Sequence, residues 1–419
     1  MRRLALVAAF LLVSAATAGA DPVIDRLTSA VAKGRRLDLE LESTLGTPGL
    51  VTVEGTINGN PVSIHKRLRP GHRTTKLRVD PKKLKMRRLE TGLHFDVTVT
   101  VAETGGAEVS QQVAADIPLP CIVLAGFGNE NTPGSMTAFT TALDVAAGGV
   151  YTTTGDHPTL VVHEYPSLTQ SLATLGKGVA RRVRSTLKGT VFGKVDLVGY
   201  SYGGLVARSY LAQGGAPTVR RCAFLATPNE GAPVPYIAVG LSSTGQLDTF
   251  LASNPALADL AAQLLSPDAQ QSLRNIYPTY KWAKIKNPLT QQLMDVPTFL
   301  LESVLGDSST PLTLLNADAP PAGVTFDAFY YTSTGVDAMG TIDIVDLSLI
   351  QGGGQVDPTT IATGSGDGVV PAHSVWMQEV PAWRDVITTH DIGAGSHLTM
   401  PADVLNPAFL PVLADLLTQ

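Results

Sequence analysis

Cysteine is almost missing from this chain: of 419 residues only Cys121 and Cys222 carry a thiol. A framework of several disulfides is thereby excluded as the source of the fold. Aromatic residues make up only 6% and charged residues 16%. Long apolar runs are missing too. Beyond the first twenty residues, none approaches the roughly 20 that a membrane-spanning helix needs. What is present, with 44% hydrophobic residues, is an ordinary globular composition with room for one large domain and one small one.

The first residues stand apart. Arg2 and Arg3 precede an apolar run from Leu4 to about Ala16, and Ala18-Gly19-Ala20 supplies small residues for cleavage ahead of Asp21. Residues 1–20 read as a secretory signal peptide, too short and wrongly flanked for a membrane span. The expected product is soluble, secreted or periplasmic, and cleaved near Ala20. Export permits a disulfide between Cys121 and Cys222, while buried free thiols suit their apolar, strand-like runs equally well.

Charge is unevenly spread. Residues 21–118 carry 15 Lys+Arg against 12 Asp+Glu, whereas residues 119–419 carry 14 against 24. The basic residues bunch at Lys66, Arg67, Arg69, Arg73, Lys76, Arg78, Lys82, Lys83, Lys85, Arg87 and Arg88. Such a cluster is either a patch for an anionic surface or polymer, or the solvated face of a small β-domain. No aromatic side chain is interleaved with it, which argues against nucleic acid.

Strict alternation from Leu37 to Glu42, and at Phe95, Val97, Val99 and Val101, predicts half-buried antiparallel strands. Asn58-Gly59 and Gly105-Gly106 supply hairpin turns. Residues 21–118 thus read as a small all-β sandwich, immunoglobulin-like in style, that ends at Pro118-Leu119-Pro120. Its first stretch, Asp21 to Gly34, reads as a short helix or a loose leader. From 119 to 419 strands and helices alternate, with strands expected at Cys121–Ala125, Leu160–His163, Val195–Val198, Cys222–Leu225, Phe326–Tyr331 and Asp385–Thr388. That alternation argues an α/β fold: a mostly parallel sheet with helices on both faces. One long interval, about 232–318, reads as helix with little strand. Asn254-Pro255 and Asn287-Pro288 open helices there. It is expected to form a helical cap over the carboxyl ends of the strands, where ligands of such sheets bind.

The segment Val195 to Gly204 places Gly199-Tyr200-Ser201-Tyr202-Gly203 between a buried strand and a helix. This Gly-x-Ser-x-Gly arrangement holds a serine at the tip of a sharp strand-to-helix turn, with Gly199 and Gly203 giving the clearance. A serine alcohol needs a histidine to take its proton and a carboxylate to orient that histidine. In chain order the acid and then the base should follow Ser201, which leaves His373, His390 and His397. His397 lies in the glycine-rich loop Gly393-Ala394-Gly395-Ser396 and is the favoured base, with His390 the runner-up. Asp367, flanked by Gly366 and Gly368, is the favoured acid over Asp337, Asp343, Asp346 and Asp357. Those four bunch together but lack the ligand spacing of a calcium loop, so no metal is expected. Phe127, in the glycine turn after Val123-Leu124-Ala125, and Tyr202, just behind the serine, are the expected backbone donors of an oxyanion hole.

With these residues in view, the stretch from 119 to 419 resembles the α/β-hydrolase lipases and esterases, particularly bacterial secreted triacylglycerol lipases and the lecithin:cholesterol acyltransferase-like group. The elbow at Ser201, the turn Ala226-Thr227-Pro228-Asn229-Glu230-Gly231, the acid loop Gly366-Asp367-Gly368-Val369-Val370-Pro371 and the Gly395-Ser396-His397 loop carry the resemblance. Many such lipases have His-Gly where this chain has Ala125-Gly126. The resemblance implies a Ser201–Asp367–His397 triad that cleaves carboxylic esters of lipid or acyl character, without a cofactor. It also implies that the strands of Cys121 and Cys222 flank the nucleophile strand, which would strain a disulfide. An acyltransferase, thioesterase or amidase could use the same triad. An inactive surface-binding protein on a hydrolase fold is the alternative of a different class, and the intact Ser-Asp-His order argues against it.

Overall fold

The structure is a computed structural model that describes residues 22–32, 36–104, 106–129, 134, 136–153, 158–232, 279, 283–286, 293–295, 310–333, 345–346 and 364–419. The leader 1–20, the helix opened by Asn254-Pro255, the Asn287-Pro288 start, Gly105, and Asp337, Asp343 and Asp357 lie outside the described residues. No helix among the described residues is long and apolar enough to cross a membrane.

Among the described residues seven strands come first: β1 (Val23–Ala32), β2 (Arg36–Leu45), β3 (Gly49–Ile57), β4 (Asn60–Leu68), β5 (Gly71–Val79), β6 (Leu93–Glu103) and β7 (Glu108–Ile117). They form two antiparallel sheets, in the orders β1-β2-β5 and β4-β3-β6-β7. The alternation read from the sequence does what period two requires: Leu37, Leu39 and Leu41 of β2 face Val51, Val53, Phe95, Val97 and Val99 across one buried core. Asn58 and Gly59 both take left-handed backbone, at φ 48° and 75°, as the two-residue β3–β4 hairpin demands. One expectation is corrected. Residues 23–32 form a strand rather than a helix or loose leader, paired with β2 from Val23↔Thr44 to Ala32↔Arg36. The free edge of β2 supplies the hydrogen bonds that the irregular pattern of this stretch did not announce.

Six further strands make a parallel sheet: β8 (Cys121–Leu124), β9 (Leu160–His163), β10 (Val195–Tyr200), β11 (Val219–Leu225), β14 (Thr325–Tyr330) and β16 (Ile387–Asp391). Their order is β9-β8-β10-β11-β14-β16, and every neighbouring pair is parallel. This strand order is that of the α/β-hydrolase fold, with β10, the strand that leads into Ser201, near its centre. Cys121 and Cys222 are free and buried on β8 and β11, one on either side of β10. Two strand spacings, roughly 9–10 Å, exceed the reach of a disulfide.

Helices cover both faces. On one, α2 (Leu172–Leu187) buries Leu172, Leu175, Val179 and Val183, and Ser171 caps it by accepting the Thr174 N–H at 3.3 Å. It packs with α3 (Tyr202–Tyr210) and α4 (Thr310–Ala317), whose Leu312 and Leu315 enter the same core. On the other face, α1 (Thr137–Ala146) and the carboxyl-terminal Leu410–Thr418 helix bring together Phe139, Leu143, Leu413 and Leu417. Among the described residues of the expected cap interval are two short strands, β12 (Ala283–Lys286) and β13 (Leu293–Asp295), which pair with each other; β12 also pairs with β15 (Val345–Asp346). The helix described there, α4, packs on the sheet; its Leu315 carbonyl accepts from Arg208 of α3 at 2.9 Å.

The sandwich and the parallel sheet share a seam at the amino-terminal end of β10. Leu89 bridges Phe192, with Leu89 N–H donating to Val191 O at 3.0 Å and Gly193 N–H to Leu89 O at 2.8 Å. Val191 and Phe192 are buried in the sandwich core. Lys194 pairs with Glu90 at 2.9 Å. Just beyond, a row of polar contacts crosses the sheet: Arg220 grips buried Asp196 through two bonds of 3.0 and 2.6 Å, and Arg221 and His390 meet Asp327 at 2.5 and 3.0 Å.

Candidate active site

Ser201 follows the last residue of β10 with φ 52° and ψ −125°, a conformation non-glycine residues rarely hold. Its surroundings enforce it. The Ser201 N–H donates to Leu225 O of β11 at 2.8 Å, and α3 begins at the next residue. The turn is tight enough that a Cβ on Gly199 would lie 2.5 Å from Gly204 Cα, and one on Gly203 would run into the Leu124 carbonyl oxygen. Half-buried Ser201 therefore stands at the positive end of α3, where negative charge is favoured.

The three residues singled out as nucleophile, base and acid converge, although 196 positions separate the first from the second. His397 Nε2 lies 2.9 Å from Ser201 Oγ, and His397 Nδ1 lies 2.7 Å from Asp367 Oδ2. His397 and Asp367 are 4% and 2% exposed, so the pair is screened from water. The second Asp367 oxygen accepts the Val369 and Val370 N–H groups at 3.0 and 2.7 Å. A carboxylate can only accept, so the proton of the pair sits on Nδ1 and leaves Nε2 as the acceptor facing Ser201. The runner-up His390 is elsewhere: it lies on β16, stacked on Phe329 and bonded to Asp327. His373 pairs with Glu230 at 3.3 Å.

Two loops carry Asp367 and His397, and each is tied down. Ser365 Oγ donates to Thr332 O at 2.7 Å, past the end of β14, and Ala372 N–H to Ser365 O at 2.8 Å. The base loop bridges Ser333 to Ala394, and His397 N–H donates to Asp367 O at 2.9 Å. Behind the acid loop, the turn after β11 acts as a staple that the sequence did not reveal. Asn229 Nδ2 donates to Val375 O at 2.7 Å, Glu230 N–H to Ser374 Oγ at 3.0 Å, and Ser374 Oγ to Gly231 O at 2.7 Å. Burial raises the fully enclosed Glu230 carboxyl, and the His373 hydrogen bond and the Glu379 N–H pull it back.

Tyr200 is a second residue that sequence reading passed over. Its hydroxyl donates to His397 O at 2.6 Å, and its ring lies 5.5 Å from the imidazole. Burial, then the nearby Asp367 charge, pushes the phenol well up, so it stays a donor.

The glycine turn after β8 lies against the elbow. A Cβ on Gly126 would sit 3.1 Å from the Tyr200 ring and 3.4 Å from Ser201 Cβ. Phe127 and Tyr202, the two expected oxyanion donors, are in edge-to-face contact at 5.6 Å. Asn129 holds the turn from behind, donating to Gly126 O and Tyr165 O at 2.9 and 3.1 Å, while the Tyr165 hydroxyl donates to Ala125 O. Gly128 N–H donates to Ser167 Oγ at 2.7 Å. Apart from the Asn129–Gly126 bond, these clamps join residues 36 to 40 positions apart, beyond the reach of any local motif. The described residues contain no group of histidine, cysteine and carboxylate side chains placed to hold a metal ion.

No family model matches the chain, and no curated protein matches it in sequence. Solved structures to which it is similar include the mature lipase of Bacillus licheniformis, 17% identical, covering 72% of this chain and 93% of that one at a TM-score of 0.37. Lipase 1 of Pelosinus fermentans is 13% identical, with coverage of 72% and 99% and a TM-score of 0.37. An extracellular α/β-hydrolase of a Paenibacillus species is 15% identical, with coverage of 71% and 99% and a TM-score of 0.33. Likeness at this level bears on neither reaction nor substrate. The α/β-hydrolase fold of this chain rests on its own strand order and on the elbow at Ser201.

Proposed function

We propose that the chain is an exported serine hydrolase that cleaves carboxylic esters through an acyl-enzyme, with Ser201 as nucleophile, His397 as base and Asp367 as orienting acid. The observation that carries this reading is the continuous relay from Ser201 Oγ through His397 to Asp367, at 2.9 and 2.7 Å. As Ser201 Oγ attacks the acyl carbon, its proton passes to Nε2, and the imidazolium is balanced by Asp367. Charge then develops on the former carbonyl oxygen, where the Phe127 and Tyr202 amides and the start of α3 favour it. Nε2 returns the proton to the leaving alcohol, and water repeats the sequence to free the acid. Esters of lipid or acyl character are the substrates that the elbow, acid-loop and base-loop motifs suggest, and export is what the leader suggests.

A fluorophosphonate probe and a soluble p-nitrophenyl ester test the reading together. The parent should be labelled at Ser201 and turn the ester over. Ser201→Ala should lose labelling and about 10⁶-fold in turnover, on the scale of triad knock-outs. A well-folded Ser201→Ala protein that still cleaves the ester refutes it. An added competing alcohol that diverts the acyl group into a transfer product would move the assignment to an acyltransferase.

A further inference from the structure

We infer that the cationic edge of the β-sandwich is a tether for an anionic lipid surface, and that it holds the active site turned away from that surface. Between Lys66 and Arg88 there are eleven basic residues and a single acid, Asp80. All eleven are exposed. Lys76 and Arg78 pair with Glu40 and Asp38, at 3.4 and 3.8 Å. The other nine find no acidic partner among the described residues. Strands β4 and β5 are edge strands of different sheets, joined by a two-residue turn at Arg69-Pro70, so their cations line one side of the sandwich.

Charged edges also protect a sheet from pairing with another chain. That accounts for the cations on β4 and β5. It does not account for Lys82, Lys83, Lys85, Arg87 and Arg88, which sit on the turn after β5, where there is no ladder to protect. Lys85 and Arg88 take left-handed backbone, φ 60° and 57°. Among these cations Leu84 is 39% exposed, an apolar side chain at the tip of a basic loop. A cationic loop with an apolar tip, and no phenylalanine, tyrosine or tryptophan anywhere from 58 to 94, fits phosphates at a bilayer surface better than stacked bases.

The orientation follows from the seam. The basic turn runs directly into Leu89, which docks at Val191 and Phe192 just ahead of β10. Ser201 lies at the other end of that strand, about 20 Å away at ~3.3 Å per residue. A surface held at the turn therefore lies behind the sheet, and the mouth above Ser201 faces solution.

The inference stands apart from the ester-hydrolase reading, and a Ser201→Ala protein should bind as the parent does. Co-sedimentation of the full chain with vesicles of phosphatidylcholine mixed with phosphatidylglycerol should show binding that weakens as salt rises, with none to phosphatidylcholine alone. Lys82→Gln, Lys83→Gln and Lys85→Asn together should weaken binding about a hundredfold, at about fivefold per basic residue, while leaving the thermal melt in place. A fluorophore on Leu84→Cys should be quenched by brominated lipid, and one on Leu405→Cys, a residue 92% exposed beyond the His397 turn, should not. Equal binding to both vesicle types, an unaffected triple variant, or capture by duplex DNA or heparin without capture by vesicles overturns the tether. Equal quenching at both positions overturns the orientation.

Discussion

Asp367→Asn separates orientation of the base from support of the loop, and the structure fixes what the amide must do. One Asp367 oxygen accepts two backbone N–H groups, at 3.0 and 2.7 Å, and the other faces His397 Nδ1 at 2.7 Å. An asparagine NH₂ cannot face two donors, so its oxygen stays on Val369 and Val370 and the NH₂ turns to the imidazole. Nδ1 must then accept, and the ring proton moves to Nε2. There it points at Ser201 Oγ across 2.9 Å, and the histidine no longer takes the serine proton. Every hydrogen bond has a counterpart, so the melt should shift by no more than about 1 kcal/mol in stability. Turnover should fall about 10⁴-fold, the size of the wrong-tautomer effect in serine triads, or about 5.5 kcal/mol in barrier. Asp367→Ala is the contrast: two buried N–H groups lose their acceptor, at about 1–3 kcal/mol each, so this variant loses stability as well. The measurements are kcat/KM on a soluble p-nitrophenyl ester and a thermal melt of each variant. An asparagine variant within tenfold of the parent, or one that melts as low as the alanine variant, refutes the argument.

Three further outcomes are expected. His163, at the end of β9, has both ring nitrogens buried without a partner, and burial, then Arg182 and Arg181, lowers it to about 4. The unfolded chain therefore binds its proton first, and stability is lost as pH falls from about 6.5 towards 4, by about 2 kcal/mol at pH 5; in melts across that range His163→Phe should flatten the slope, and an unchanged slope would rule the residue out. Gly203→Ala drives a methyl into the Leu124 and Ala125 carbonyls, which are main chain and cannot swing aside, so fluorophosphonate labelling of Ser201 should slow about 10²-fold from misplacement of the nucleophile. Asp196→Asn strips Arg220 of its carboxylate at the far end of β10, and urea titration should show a loss of about 3 kcal/mol with turnover per folded molecule retained.

What could be read from the sequence was whatever chemistry compels locally. Gly199 and Gly203 are there because backbone passes within contact of them, so the elbow shows itself in five residues. Asp367 and His397 are likewise marked by glycines that free a loop to turn inward. The sandwich was legible where one face meets a core, as in Leu37, Leu39 and Leu41, and illegible in 23–32, whose strand exists because β2 offers an edge. Tyr200, Asn129, Tyr165 and Glu230 stayed hidden for a similar reason. Each acts by hydrogen bonds to main chain far along the sequence, and a lone tyrosine or asparagine advertises none of that. Two of the described pieces of the cap interval are short strands, because Leu293-Met294-Asp295 gains a partner in 283–286 that helix-start signals at Asn287 could not foresee, while a third, α4, is helix.

The burial of Val191 and Phe192 in the sandwich core has a consequence for how this molecule can be taken apart. Residues that lead directly into β10 complete the interior of the amino-terminal unit. Cutting the chain at Pro118-Leu119-Pro120 would leave one fragment with a hole and the other with a bare phenylalanine and valine beside its central strand. The two units are sequential along the chain but not modular. Evolution or an engineer who exchanged the first for another domain would have to rebuild the lead-in to Ser201 as well.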